Sequence, residues 1–460
     1  MTRAKTGSLR GNPSVTFHGA ARTVTGSRYL LRSDRARVLV DCGLFQGGED
    51  MRARNREDPG FDPRSLDAVV LTHAHVDHAG YLPRLCASGY SGPVLCTPGT
   101  RSLLGILLRD GAHLQEEEVR RAARRGRARR PLYTRADVET ALALLQPRPF
   151  HAPFDVALGM SARFARAGHI LGAASVAVRV EDRSINFTGD VGRPQDPVMV
   201  SPEPLWEADY LVTESTYGDR LHPDSSVFDV LERIVVETAA RGGSVLVPAF
   251  AVGRAQHLMH LLAELRAEGR VPELPTFLDS PMAIDATHVF CDHLADHRLS
   301  PEQCRAACGV ARYTRTVAES RAINETTGPK VVISASGMAT GGRVLHHLRR
   351  MLPDYRNTVL FAGFQAPGTR GHALVHGAAA VDIHGRSVQV RARVESLGGL
   401  SAHGDYAEML AWLAESDLSP RRVFVTHGEG EAADAFGRRL QEAFGWEVEV
   451  PSAGSCWALD

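Results

Sequence analysis

Hydrophobic and polar positions alternate with a period of two through the first fifth of the chain, which predicts strands over 14–18, 27–31 and 37–41. A short apolar run, Leu66-Asp-Ala-Val-Val-Leu-Thr72, reads as a buried strand leading straight into His73. Helical periodicity follows over 79–88, 98–125 and 135–147, and alternation returns over 160–167, 175–181 and 184–189. From residue 209 the texture changes. Apolar strands at 209–213, 243–249, 275–279, 330–335 and 357–363 are separated by long amphipathic stretches, the signature of a parallel, doubly wound sheet. Short strands at 379–383, 387–395 and 421–426 and helices at 404–415 and 430–443 complete the pattern.

Composition adds bounds. The 460 residues are 43% hydrophobic and 23% charged, enough for two or three packed domains and too ordinary for a disordered or fibrous chain. No run approaches the roughly 18 apolar residues of a membrane span, and the first ten residues carry no secretory pattern, so a cytoplasmic location is expected. Acidic and basic groups balance at 53 each, but all the basic ones except Lys5 and Lys330 are arginine. Arginine is the better bidentate phosphate ligand, although codon bias accounts for the excess as simply. Arg120, Arg121, Arg124, Arg125, Arg127, Arg129 and Arg130 follow Glu116-Glu117-Glu118, where Glu116/Arg120 and Glu117/Arg121 are spaced for i,i+4 pairing on a solvated helix face. The seven cysteines are scattered without a Cys-x-x-Cys pair and read as reduced thiols.

Candidate chemistry concentrates at Thr72-His73-Ala-His75-Val-Asp77-His78. In extended backbone His73 and His75 point the same way and can grip one ion, while Asp77 and His78 fall where a helix begins and turn toward a neighbouring position. Two such clusters this close imply two metals. His169, in Ala167-Gly-His169, and Asp190, closing Asn186-Phe-Thr-Gly-Asp190, sit at strand ends, and the carboxylate of Asp190 could bridge two cations. His427 ends a late strand, and Asp41 ends an early one, from which it could orient ligand imidazoles.

Together Asp41, the H-x-H-x-D-H run, His169, Asp190 and His427 resemble the metallo-β-lactamase fold. The resemblance implies an α/β architecture: a four-layer αββα sandwich with two zinc ions, manganese being the other option. One ion would be held by His73, His75 and His169, the second by Asp77, His78 and His427, with Asp190 between them. The long separation of Asp190 from His427 resembles chains with an inserted doubly wound β-CASP domain, which places the metallo-β-lactamase parts at 1–206 and 373–460 and the insertion at 207–372. Val212-Thr-Glu214-Ser-Thr-Tyr-Gly-Asp219, Leu400-Ser-Ala-His403-Gly-Asp405 and His427 resemble successive β-CASP motifs, and a His at the last favours RNA over DNA.

Pro248-Ala-Phe-Ala-Val-Gly-Arg254-Ala-Gln256 and Ser334-Ala-Ser336-Gly-Met, with Gly341-Gly-Arg343 beyond, match the same family, so Arg254, Ser336 and Arg343 become expected phosphate contacts. His372 departs from it, standing where arginine is frequent. The implied activity is that of short bacterial nucleases similar to the cleavage-and-polyadenylation factor. A metal-bridging hydroxide would attack the phosphodiester of single-stranded RNA and leave 3′-hydroxyl and 5′-phosphate ends. His403 would act as general acid with Glu214 holding its charge, and Asp77 would join them in the catalytic set. A homodimer is compatible with the fold. The rival readings are a non-catalytic RNA-binding subunit and an ester or thioester hydrolase of the same fold.

Overall fold

The computed structural model describes residues 12–124, 126–363, 365–366 and 368–460; Lys5 and Arg125 lie outside them. The chain divides into two compact units, one running to Pro194 and resuming at Ser201–Leu221 and His403–Asp460, the other formed by Gln195–Val200 and His222–Ala402.

The first unit contains two seven-stranded sheets. One is ordered Cys456–Ala458, Ser14–Phe17, Tyr29–Arg32, Arg37–Val40, Ala68–Val70, Val94–Cys96 and Leu145–Pro147. The other is ordered Val448–Glu449, Arg422–Val425, Tyr210–Thr213, Arg183–Phe187, Ala174–Val180, Met160–Arg166 and Phe154–Ala157. Alternate residues of each sheet meet in one core: Val15, Phe17, Val38 and Val70 from the first, Phe164, Val176, Phe187 and Phe424 from the second. Burial of such large side chains contributes about 1.5–3 kcal/mol each, the main force holding the sheets face to face.

The intervening residues bury the opposite faces under helices. Leu211, Val423 and Val425 pack against Trp412 and Leu413 of helix Tyr406–Glu415 and Phe436 and Leu440 of helix Gly430–Phe444. On the other side helix Arg135–Ala143 packs on both Leu82–Ala87 and Pro98–Arg124, the long one also touching strand Leu145–Pro147. This is the four-layer αββα arrangement. The Glu117–Arg121 pair forms at 2.7 Å, whereas Glu116 reaches Arg135 of the next helix at 3.2 Å instead of Arg120.

The second unit is doubly wound around a fully parallel six-stranded sheet ordered Arg312–Tyr313, Thr276–Asp279, Val331–Ser334, Val245–Pro248, Thr358–Phe361 and Arg393–Ser396. Its central strands are apolar throughout because both faces are covered. Val245, Val247 and Ile333 pack under helices Val227–Ala240 and Arg254–Ala267, and Leu246, Val332 and Phe361 pack over helix Val344–Met351. The strand expected over 387–395 is two: Arg386–Gln389 turns back on Ala380–Ile383, and Arg393–Ser396 joins the parallel sheet beside Thr358–Phe361.

Candidate active site

Strand ends build the site in the first unit. Asp41 follows Arg37–Val40, His73 and His75 follow Ala68–Val70, Asp190 follows Arg183–Phe187, Glu214 follows Tyr210–Thr213 and His427 follows Arg422–Val425. Two of these turns are strained, with Asp41 at φ 59° and His427 at φ 46°, a region costly for residues with a Cβ. Gly43 is required for packing, since a Cβ there would stand 1.6 Å from the Asp77 carbonyl oxygen. The backbone thereby closes the Asp41 loop onto helix Val76–Ala79, with the Cys42 N–H donating to the His78 carbonyl.

Seven of the expected residues come together. His73 Nε2 and His169 Nε2 each lie 3.1 Å from His75 Nδ1, and Asp190 Oδ2 lies 3.4 Å from His73 and 3.5 Å from His169. Beside them, His78 Nε2 is 3.1 Å from both His427 Nε2 and Asp190 Oδ1, and Asp77 Oδ2 is 3.5 Å from His427 Nε2. Asp190 thus directs one oxygen to each group.

Asp41 stands behind them. It accepts from His78 Nδ1 at 2.7 Å and from the Thr72 N–H and hydroxyl, and the Thr72 hydroxyl lies 3.0 Å from His73 Nδ1. These bonds leave Nε2 of both rings facing inward as lone-pair donors. Thr72 and Thr216, whose hydroxyl is 3.2 Å from His427 Nδ1, carried no role in the sequence reading; each immediately neighbours a motif residue, and that proximity was the available signal.

Electrostatics matches the geometry. Burial, helped by the charge of His78, lowers His73 to about 3, and burial lowers His75 to about 4. Burial, reinforced by His403, puts His169 well below its ordinary value. Burial would raise the carboxyls of Asp77 and Asp190, but the surrounding imidazoles outweigh it and hold both well below the usual range. Burial likewise opposes the charge on His78, yet Asp190 and Asp41 raise it well above 6.5.

The donor set fits divalent cations. The lowered imidazoles of His73, His75 and His169 and the lowered carboxyls of Asp77 and Asp190 are in the protonation states a metal requires, whereas His78, raised by Asp190 and Asp41, has to give up a proton to take one. Nitrogens on a tetrahedral ion with bonds near 2.0–2.1 Å stand about 3.3 Å apart, close to the 3.1 Å observed. Asp190 Oδ1 is buried and accepts no hydrogen bond, the state of an oxygen waiting for a cation.

At the edge of this cluster His403 places Nδ1 3.1 Å from both oxygens of Glu214 and Nε2 4.0 Å from Asp190 Oδ2. Glu214 is itself fixed by the Val191 N–H at 2.6 Å and the Thr216 N–H at 3.3 Å.

The second unit holds the expected phosphate contacts. The Ser336 hydroxyl is solvent-exposed and paired with Thr340. Arg254 and Gln256 are buried, and the Gln256 amide donates inward to Ala251, Ala283 and Thr287. The Arg343 guanidinium is engaged by Asp279 at 2.7 Å and by the carbonyls of Thr314 and Arg315.

Comparison with known proteins agrees with this architecture. Residues 22–226 match the metallo-beta-lactamase superfamily, 255–374 the Beta-Casp domain and 387–451 the Zn-dependent metallo-hydrolase RNA specificity domain. Ribonuclease TTHA0252 of Thermus thermophilus is 39% identical over 92% of this chain and 94% of its own. Transcription termination factor FttA of Methanocaldococcus jannaschii is 31% identical over 95% of this chain and 70% of its own. An RNase J-like protein of the same organism is 27% identical over 96% and 98% of the two chains. A crystal structure of an Enterococcus faecalis protein of unknown function shares the fold, with a TM-score of 0.57 at 13% identity over 98% of this chain and 100% of its own. Among the described residues no helix is long and apolar enough to cross a membrane. Carrying the sandwich, the inserted doubly wound unit and the matching domain models in order, the chain belongs to the β-CASP ribonuclease family of the metallo-β-lactamase superfamily.

Proposed function

We propose that this protein hydrolyses phosphodiester bonds in single-stranded RNA, leaving 3′-hydroxyl and 5′-phosphate ends, with two zinc ions in its active site. His73, His75 and His169 would hold one ion, Asp77, His78 and His427 the other, and Asp190 would serve both. When bound, two divalent cations supply Lewis acidity toward the phosphate and acidify water for attack at neutral pH.

The observation that carries the chemical reading is the placement of His403. Its ring is oriented by Glu214 through Nδ1, so Nε2 is the nitrogen left to face the cluster. Burial alone would lower the imidazole, but Glu214 outweighs it and His403 is raised to about 9, leaving it protonated at neutral pH. Protonated His403 gives its Nε2 proton to the departing 3′-oxygen, and Glu214 holds the imidazolium in register. Arg254 and Ser336 are the proposed phosphate contacts. The engagement of Arg343 with Asp279 suits a supporting role better.

The test is cleavage of 5′-labelled single-stranded RNA, matched DNA and a panel of esters and thioesters, with metal content measured on the same protein. RNA cleavage that yields a 3′-hydroxyl, with DNA and esters spared, is the expected result. Metal-loaded protein that leaves RNA intact would overturn the reading.

A further inference from the structure

The second unit holds another convergence of ligand-type side chains, outside the motifs read from the sequence. Cys291 lies near the end of helix Pro281–Asp292, and Cys304 and Cys308 stand four residues apart on one face of helix Pro301–Gly309. All three are free thiols, and their sulfurs lie within 4.8 Å of one another, with the Cys304 thiol donating to Cys291 Sγ at 3.1 Å.

Buried cysteines commonly serve as small apolar fillers. Filling a core, however, does not require three of them to point their sulfurs at one spot. An ion with metal–sulfur bonds near 2.3 Å keeps its sulfurs about 3.8–4.0 Å apart, so Cys291 and Cys304 would need to part by less than about 1 Å to accept one. Cys304 is buried and forms the floor, while Cys291 and Cys308 are partly exposed and leave a way in. Hydrogen bonding from Cys291 holds the Cys308 thiol below its ordinary value, whereas burial pushes Cys304 up to about 12.

We propose that Cys291, Cys304 and Cys308 form a second, all-sulfur metal site that takes one thiophilic d10 cation, Zn²⁺ or Cu⁺, and staples the two helices. An all-thiolate set selects soft ions over the harder ones that suit carboxylates. Binding releases three thiol protons to solvent and changes no oxidation state. The proposal stands apart from the ribonuclease reading, since the His/Asp cluster contains no sulfur.

The test is an anaerobic Co²⁺ titration of the full-length, reduced and chelator-stripped protein, because only thiolate-bound cobalt gives intense sulfur-to-metal charge transfer in the near ultraviolet. We expect that absorption to reach the intensity of one thiolate-bound ion per chain, alongside the cobalt taken by the His/Asp cluster. Displacement by Zn²⁺ and by Cu⁺, each followed against a chelator of known affinity, then distinguishes the two ions. Cys308→Ser and Cys304→Ser should each abolish the absorption and lower the bound metal by one equivalent. If Cys304→Ser does not fold, Cys291→Ser and Cys308→Ser decide the matter, with circular dichroism confirming their fold. No charge transfer in the wild type, or full absorption in a folded Cys308→Ser, overturns the proposal. So does an intact mass showing that mild peroxide joins Cys291 to Cys304 in protein that binds no thiolate metal.

Discussion

His403 is pinned between two carboxylates: Nδ1 stands 3.1 Å from both oxygens of Glu214, and Nε2 stands 4.0 Å from Asp190 Oδ2. The pairing separates two roles that a histidine beside a metal cluster can play. The ligand-type rings stand 3.1–3.5 Å from Asp190 or from one another, whereas His403 stands off at 4.0 Å and is raised to about 9, against the effect of burial, by Glu214. His403→Ala is therefore expected to lower kcat by about 10²–10⁴-fold with bound metal unchanged. Glu214→Gln keeps the shape and removes the charge, so it should cost about tenfold or more in kcat. Single-turnover cleavage of labelled RNA, with metal analysis of each variant, checks both. A parallel loss of metal in His403→Ala would make His403 a ligand and sink the general-acid role.

Asp190 is the proposed ligand shared by both groups, its two oxygens facing different ones at 3.1 Å and 3.4 Å. Asp190→Asn keeps the volume and removes the charge that offsets the second cation. Bound metal should fall by about one equivalent or more, and cleavage should be lost. Mass-spectrometric metal analysis of dialysed protein is the measurement. Retention of both ions would mean that Asp190 does not serve as their shared ligand.

Asp41 touches neither the centre of the cluster nor solvent, yet it sets the tautomer of His78 through a 2.7 Å bond and, through Thr72, orients His73. Asp41→Asn replaces a carboxylate acceptor with an amide and weakens that hold. Loss of such a partner typically costs about 10–100-fold in metal affinity. Chelator competition should show the larger effect on the ion assigned to His78. Equal affinities in wild type and Asp41→Asn would make Asp41 a packing residue alone.

The strands and the His73–His78 run were legible in sequence because both are local, whereas His169, Asp190 and His427 were joined to that run only through the family resemblance. A buried strand of period two running into His-x-His announces where its side chains point, and the helix expected over 98–125 is observed as Pro98–Arg124. What sequence could not show was which partner takes up a polar group. The Gln256 amide follows a strand–Gly–helix turn, as a substrate contact would, yet it bonds inward to Ala251, Ala283 and Thr287. Glu116 has Arg120 at the right helical spacing, but Arg135, nineteen residues away, competes for it. The cysteines look scattered because 291 and 304 are brought together only by helix packing, which leaves no periodic trace.

Asp279, which no motif marked, anchors the second unit. Burial would raise its carboxyl, but hydrogen bonds from His347, Ser320, Thr314 and Arg343 outweigh it and hold Asp279 at about 2, below an ordinary 3.8. Asp196 is likewise held at about 2, because the charge and hydrogen bond of His257 and the N–H groups of Val198 and Met199 overcome its burial. A carboxyl depressed in the folded state stabilises above its unfolded pKa, and that stability is lost as pH falls through the folded value. Each group thus contributes about 2 kcal/mol that is present above pH 4 and disappears toward pH 2. Urea unfolding of the full chain should show the midpoint of the second unit dropping steeply across that interval. Asp279→Asn should flatten the slope while lowering stability at pH 7. Arg343→Ala, which removes one donor from Asp279, should lower stability at pH 7 yet leave KM for RNA within about twofold, whereas Ser336→Ala should raise KM. A large rise in KM for Arg343→Ala at unchanged stability would return Arg343 to the phosphate contacts.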